Sequence, residues 1–168
     1  MKKIILIVFI FMSVNTFAEE GKLDLSISSS LSTGTGFGIA YNLTDNLRVK
    51  VASIYIGLFG KDSDEKSGSA SIFSIGGSLS LKLKTLKDKK SSLYMFLGTS
   101  NFMATSSDGD RDNLMNIVTL GLGLRKFFDS KMFCEIELGY SLYFTENYDG
   151  NTEIMTLPST GLNIGYQF

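Results

Sequence analysis

The residues able to do chemistry are few. The 168-residue chain contains no histidine, which excludes Ser-His-Asp catalysis, His-based general acid–base work and most transition-metal sites. Its one cysteine, Cys134, has no His partner and can form no intramolecular disulfide. Asp108-Gly109-Asp110-Arg111-Asp112 has the look of a calcium loop, but EF-hand spacing requires Gly at 113 and Glu at 119, where the chain has Asn113 and Thr119. It reads as a solvated loop. The Gly34-x-Gly36-x-Gly38 and Gly121-x-Gly123 runs precede no helix and so cannot cradle a phosphate as a dinucleotide-binding turn does. No catalytic residue, metal site or cofactor is predicted. What remains is a set of charged residues lying on polar faces of alternating segments: Asp24, Arg48, Lys50, Lys82, Lys84, Arg125, Glu135 and Glu137. Their chemistry would be ion pairing.

The segments that must position them start after an export signal. Met1-Lys2-Lys3 is a short positive stretch, Ile4 to Met12 an unbroken apolar run of nine residues, and Thr16 and Ala18 are the small residues a signal peptidase reads. Residues 1–18 are predicted to be removed by a cut at Ala18/Glu19, leaving one domain over 19–168. The run is less than half the length of about 20 residues that a helical anchor needs. Sixteen basic residues, less Lys2 and Lys3, against 17 acidic ones give a mature net charge of −3. That balance offers no basic patch and no reason to expect nucleic acid as a partner.

Period-two alternation runs through the rest of the chain, and amphipathic helical spacing is hard to find. Leu47, Val49 and Val51 oppose Arg48, Lys50 and Ala52; Ile136 and Leu138 oppose Glu135 and Glu137; Leu120, Leu122 and Leu124 oppose Gly121, Gly123 and Arg125. Eight such segments are countable, several of about 9–11 residues, the length a tilted strand needs to cross a bilayer. Connections at Thr44–Asn46, Thr85–Lys90 and Phe128–Lys131 are short; those at Phe59–Gly68, Thr105–Asp112 and Thr145–Asn151 are longer and mostly acidic. The first connection, around Ser32–Thr35, is short and breaks that rhythm.

Alternation alone does not say which face is outside. In a soluble sandwich or lipocalin-like carrier the apolar face lines the interior; in a membrane barrel the faces are exchanged. The polar face here is crowded with Gly and Ser. Solvent has no need of residues so small, whereas the narrow interior of an eight-stranded barrel needs them to admit a few long side chains. By the same parity Tyr94, Phe96, Gly98 and Ser100 face inward and Cys134 faces lipid. Strands three and seven lie opposite each other in a ring of eight, so their charges should pair across the lumen. Aromatics near segment ends suggest interfacial girdles: Tyr41, Phe127, Phe128, Phe133, Tyr166 and Phe168 on one side, Tyr55, Phe59, Phe73, Phe102 and Phe144 on the other.

The ending carries a motif. Leu162, Ile164, Tyr166 and the final Phe168 alternate with small or polar residues, as in the C-terminal assembly signal of bacterial outer-membrane proteins. With the strand count, the chain resembles the small OmpX/OmpA-type eight-stranded barrels. The resemblance implies an all-β, closed, antiparallel, up-and-down transmembrane barrel in the outer membrane of a Gram-negative bacterium. It also implies recognition by the barrel-assembly machinery, contact with lipid and lipopolysaccharide, and a monomer acting in envelope integrity, adhesion or host-factor binding. The His-dependent lipid A chemistry of other eight-stranded barrels is excluded. Two alternatives stay open: a small diffusion channel, and a soluble periplasmic carrier of an apolar ligand.

Overall fold

The structure, a computed structural model, describes residues 22–61, 67–106, 113–129, 131–146 and 152–168. The expected signal segment 1–18 with its Ala18/Glu19 cut and the Asp108–Asp112 loop lie outside these residues. Eight strands follow in order: β1 Leu23–Ser30, β2 Gly36–Asn42, β3 Leu47–Lys61, β4 Ser67–Thr85, β5 Ser91–Ser106, β6 Asn113–Phe127, β7 Met132–Glu146 and β8 Thr152–Gln167. Every strand pairs antiparallel with its chain neighbours, and β8 closes on β1 from Asp24↔Gln167 to Ser30↔Gly161. The closed ring leaves no free sheet edge around this zone, so its backbone hydrogen bonds are satisfied within the barrel.

The alternation resolves into an apolar outside and a polar inside. Phe37 is 74% exposed, Ile27 67%, Leu138 60% and Leu120 59%, while Asp24, Glu135 and Asn163 are fully buried. A soluble fold would leave that apolar band facing water; here it faces lipid, as in a transmembrane barrel. Small residues inside make room for large ones. A Cβ on Gly123 would enter the ring of Tyr94, and one on Gly121 would lie 2.7 Å from Phe96. Both rings project inward, as the parity of β5 requires.

Six strands are longer than the alternation suggested: β3 to β8 run 15 to 19 residues each, against 8 for β1 and 7 for β2. A tilted strand crosses the hydrocarbon in about 9–11 residues, so the six long strands exceed the length of one crossing and run on past β1 and β2 at the end away from the short turns. The short turns at the other end are held by their own side chains. Asp88 accepts from the Ser91 hydroxyl and the amides of Lys90 and Ser91; Asp129 accepts from the amides of Met132 and Lys131. These donors hold both carboxyls below the ordinary aspartate range.

Two expectations are corrected. Phe133 is not a girdle residue: it shares the inward parity of Glu135 and is wholly buried, and Phe127 and Phe102 lie on that inward face too. The register of β4 slips between Lys82 and Lys84, where Lys82 pairs with Tyr94 but Lys84 with Leu93. This bulge takes Lys84 off the lumen face and leaves it exposed.

Candidate functional site

The first connection explains its own brevity by folding inward. Ser32 and Thr33 are buried, at 1% and 0% exposure, although they lie in a turn between strands. A buried turn must find partners for its backbone, and here it does. The Ser30 hydroxyl accepts from the amides of Ser32 (3.3 Å) and Thr33 (3.1 Å), and the Ser100 hydroxyl of β5 donates to the Leu31 carbonyl. Gly34 and Gly36 take φ values of +96° and +118°. A Cβ on Gly34 would stand 2.9 Å from the Gly76 backbone of β4. Only glycine turns the chain here at no steric cost and lets it lie against the opposite wall.

Beneath this turn lies the charge network. Arg48 donates through Nε to Asp24 Oδ2 (2.8 Å) and through Nη1 to Glu135 Oε1 (3.0 Å). Arg125 reaches the same two carboxylates, through Nη2 to Asp24 (3.0 Å) and Nε to Glu135 (2.5 Å). Two cations and two anions from β1, β3, β6 and β7 thus close a four-membered ring across the lumen. Phe133 stacks beside it, with the Arg125 guanidinium 4.4 Å from its ring centre. Gln167 donates to the remaining Asp24 oxygen at 3.0 Å.

One step deeper, Lys50 Nζ bridges Glu137 Oε1 (3.0 Å) and Asn163 Oδ1 (3.2 Å). Glu137 Oε2 accepts from the hydroxyls of Thr33 (2.9 Å) and Ser30 (3.2 Å). The same carboxylate therefore ties the inward turn to the lysine on the far wall. Lys50 and Glu137 are each 1% exposed, so the pair is shielded from solvent screening.

Of the sequence-derived charge set, Asp24, Arg48, Lys50, Arg125, Glu135 and Glu137 come together. Lys82 enters none of these ion pairs. It lines a cavity of about 460 Å³ at the short-turn mouth, with Arg48, Tyr94, Arg125 and Glu135 as its roof. Lys84 stands outside. Sequence reasoning missed the uncharged members, Ser28, Ser30, Thr33 and Asn163; for the strand residues the inward parity was the available signal, but for Thr33, in a turn, there was none. Cys134 keeps the outward parity of Ile136 and pairs with Lys126 and Ile164. Among the described residues no cluster of His, Cys, Asp or Glu could hold a metal ion. At the C-terminus, Leu162, Ile164 and Tyr166 point outward and are 40–52% exposed, and the Phe168 amide donates to Leu23.

No protein-family model and no curated protein matches the sequence. Solved structures do match the fold. The N-terminal β-barrel domain of Pseudomonas aeruginosa OprF superposes with a TM-score of 0.54 at 14% identity, over 89% of this chain and 98% of that one. Ail, the attachment invasion locus protein of Yersinia pestis, solved with the heparin analogue sucrose octasulfate, gives 0.49 at 17% identity over 89% and 100%. Neisserial surface protein A gives 0.48 at 15% identity over 88% and 94%. At such identities the likeness concerns the fold. Eight antiparallel strands in a closed ring, apolar outside and ion-paired inside, give this chain the fold of the small eight-stranded outer-membrane β-barrels.

Proposed function

We propose that this barrel is a non-enzymatic envelope protein that acts through its loop-bearing end, as a surface-interaction or adhesin-like protein, and passes no solutes. The observation that supports this is the double obstruction of the lumen. The Asp24–Arg48–Glu135–Arg125 ring spans it near the short turns, and the 31–35 turn fills it above. An eight-stranded barrel has an interior only wide enough to be filled by side chains, and here both side chains and backbone fill it. Short turns face the periplasm in this architecture, so the six long strands carry their connections past the outer leaflet, where surface ligands are met. The natural partners are membrane lipid, lipopolysaccharide and a surface or host molecule; divalent cations bridging the acidic loops to lipopolysaccharide phosphates would be weak. Reconstitution in a planar bilayer tests the reading: the barrel should insert and give no discrete conductance steps. Regular, ohmic steps that scale with salt would establish a diffusion channel instead.

Assembly is proposed to depend on the outward C-terminal residues Leu162, Ile164, Tyr166 and Phe168, read by the barrel-assembly machinery as β8 zips onto β1. Phe168→Asp should deplete the folded barrel from cell outer membranes severalfold, yet leave refolding of the purified chain into micelles nearly intact. Normal cellular levels of the variant would refute the signal. A parallel loss in micelles would show a purely structural role for Phe168, whose ring packs edge-on to Tyr166 at 5.0 Å.

A further inference from the structure

The cations of the short-turn end are gathered on one side of the barrel. The β4–β5 and β6–β7 turns and the strand ends beside them hold Lys84, Lys87, Lys89, Lys90, Lys126 and Lys131, with Asp88 and Asp129. Six lysines against two aspartates leave a net charge of +4. The β2–β3 turn, by contrast, has Asp45 and no lysine. Both aspartates of the basic arc already cap their own turns, through the amides of Lys90 and Ser91 and of Lys131 and Met132. Among the described residues none of the six lysines enters an ion pair. Nor does turn geometry call for Lys89: its φ of +55° lies in the left-handed region, where glycine or asparagine would sit at lower cost.

Three of these lysines lie on the lipid-facing side. Lys84, turned off the lumen face by the bulge, pairs with Leu93, whose partner on its other side is the outward Leu124. Lys126 follows Leu124 on the outward face of β6 and pairs with Cys134. Lys131 holds its ammonium 5.8 Å from the ring centre of Tyr166, an outward residue of β8. Apolar side chains stand exposed among them, Leu86 at 36%, Met132 at 47% and Phe128 at 62%. A lysine at the lipid-facing end of a strand lays its stem along hydrocarbon and keeps its ammonium at headgroup height.

We propose that this arc binds the phosphates of anionic phospholipids in the periplasmic leaflet, in preference to zwitterionic lipids. Charge complementarity calls for an anion. The apolar side chains select a lipid over a soluble polyanion. A partner confined to water would meet Lys87, Lys89 and Lys90 but gain nothing from Leu86, Phe128 and Met132, whereas a phospholipid satisfies both kinds of residue at once. The arc can act in this way only if the apolar band lies in lipid, which the same experiment checks separately.

Cys134, the chain's only cysteine and the cross-strand partner of Lys126, supplies the reporter. The mature barrel (Glu19–Phe168) with a bimane on Cys134 is refolded into mixed vesicles of phosphatidylcholine and phosphatidylglycerol, with brominated acyl chains on one lipid or the other. At low salt, quenching should show phosphatidylglycerol favoured beside Cys134 by about fivefold. Raising salt to about 1 M should remove most of that preference, and Lys126→Gln/Lys131→Gln should bring it close to parity. Lys82→Gln takes a charge from the inward side of the same rim and should leave the preference unchanged. The boiling-dependent gel shift confirms that each variant is folded. Equal quenching by both lipids in the parent overturns the proposal, as does a preference that Lys82→Gln lowers as much as the double variant. No quenching by either lipid would overturn the membrane placement of the apolar band, and the proposal with it.

Discussion

Glu137→Lys should destabilise the folded barrel by about 3–5 kcal/mol, the cost of leaving a buried charge without its counter-ion. Three losses coincide at this position. Lys50 Nζ, 1% exposed as a residue, would meet a second ammonium where it now meets a carboxylate at 3.0 Å. Thr33 and Ser30 would lose their acceptor, and with it the tie between the inward turn and β7. Urea titration in micelles, read by the boiling-dependent gel shift, measures the effect. The swap Lys50→Glu/Glu137→Lys should recover part of it, with a coupling of about 0.5–3 kcal/mol beyond additivity. Recovery should be incomplete, because Asn163 and the two hydroxyls are arranged for a carboxylate at 137 and an ammonium at 50. Strict additivity with negligible single effects would put these residues in bulk water and reverse the inside and outside of the barrel.

Glu135→Ala should rank beside it, again at about 3–5 kcal/mol. The variant opens the four-membered ring and leaves Arg48 and Arg125 sharing Asp24 alone. Two guanidiniums cannot be neutralised by one carboxylate, and both also flank the Phe133 ring, at 5.9 and 4.4 Å. Added salt should do little to the loss, since the Arg48 and Arg125 side chains are only 8–9% exposed and Glu135 is fully buried. A loss that disappears in 1 M salt would mean that the ring is solvated. Glu135→Gln offers a finer test: it keeps one acceptor at each arginine and should cost less than the alanine. Equal costs would mean that the charge, and not the hydrogen bonds, dominates.

How much of this was legible beforehand differs by residue. Parity by itself placed Arg48, Lys50, Arg125, Glu135 and Glu137 on one face, because side chains in a strand alternate with a fixed period of two. The glycines and serines of that face then said which side was crowded, and a closed ring of eight puts strands three and seven opposite each other. Those arguments are local or topological, so one sequence suffices for them. The bulge at Lys82/Lys84 defeated the same reasoning: a one-residue slip reverses parity, and its cause is the pairing of β4 with β5, which no single strand contains. Phe133 misled for another reason. An aromatic near a strand end suits an interface as readily as an inner wall, but the parity that Phe133 shares with Glu135 places it on the inner wall, where the Arg125 guanidinium lies beside its ring.

The inward turn was beyond the sequence altogether. Ser32, Thr33 and Gly34 look like any polar connection, and their burial depends on walls supplied by β4, β5 and β7: the Gly76 backbone, the Ser100 hydroxyl and Glu137. Sequence determined that the chain would close into a barrel with charges inside and lipid outside, because burial alternates residue by residue. Tertiary structure decided that the barrel is stoppered by its own first turn and that six strands run on past the two short ones. Those features arise from where strands end relative to one another, a property of the ring and not of any segment.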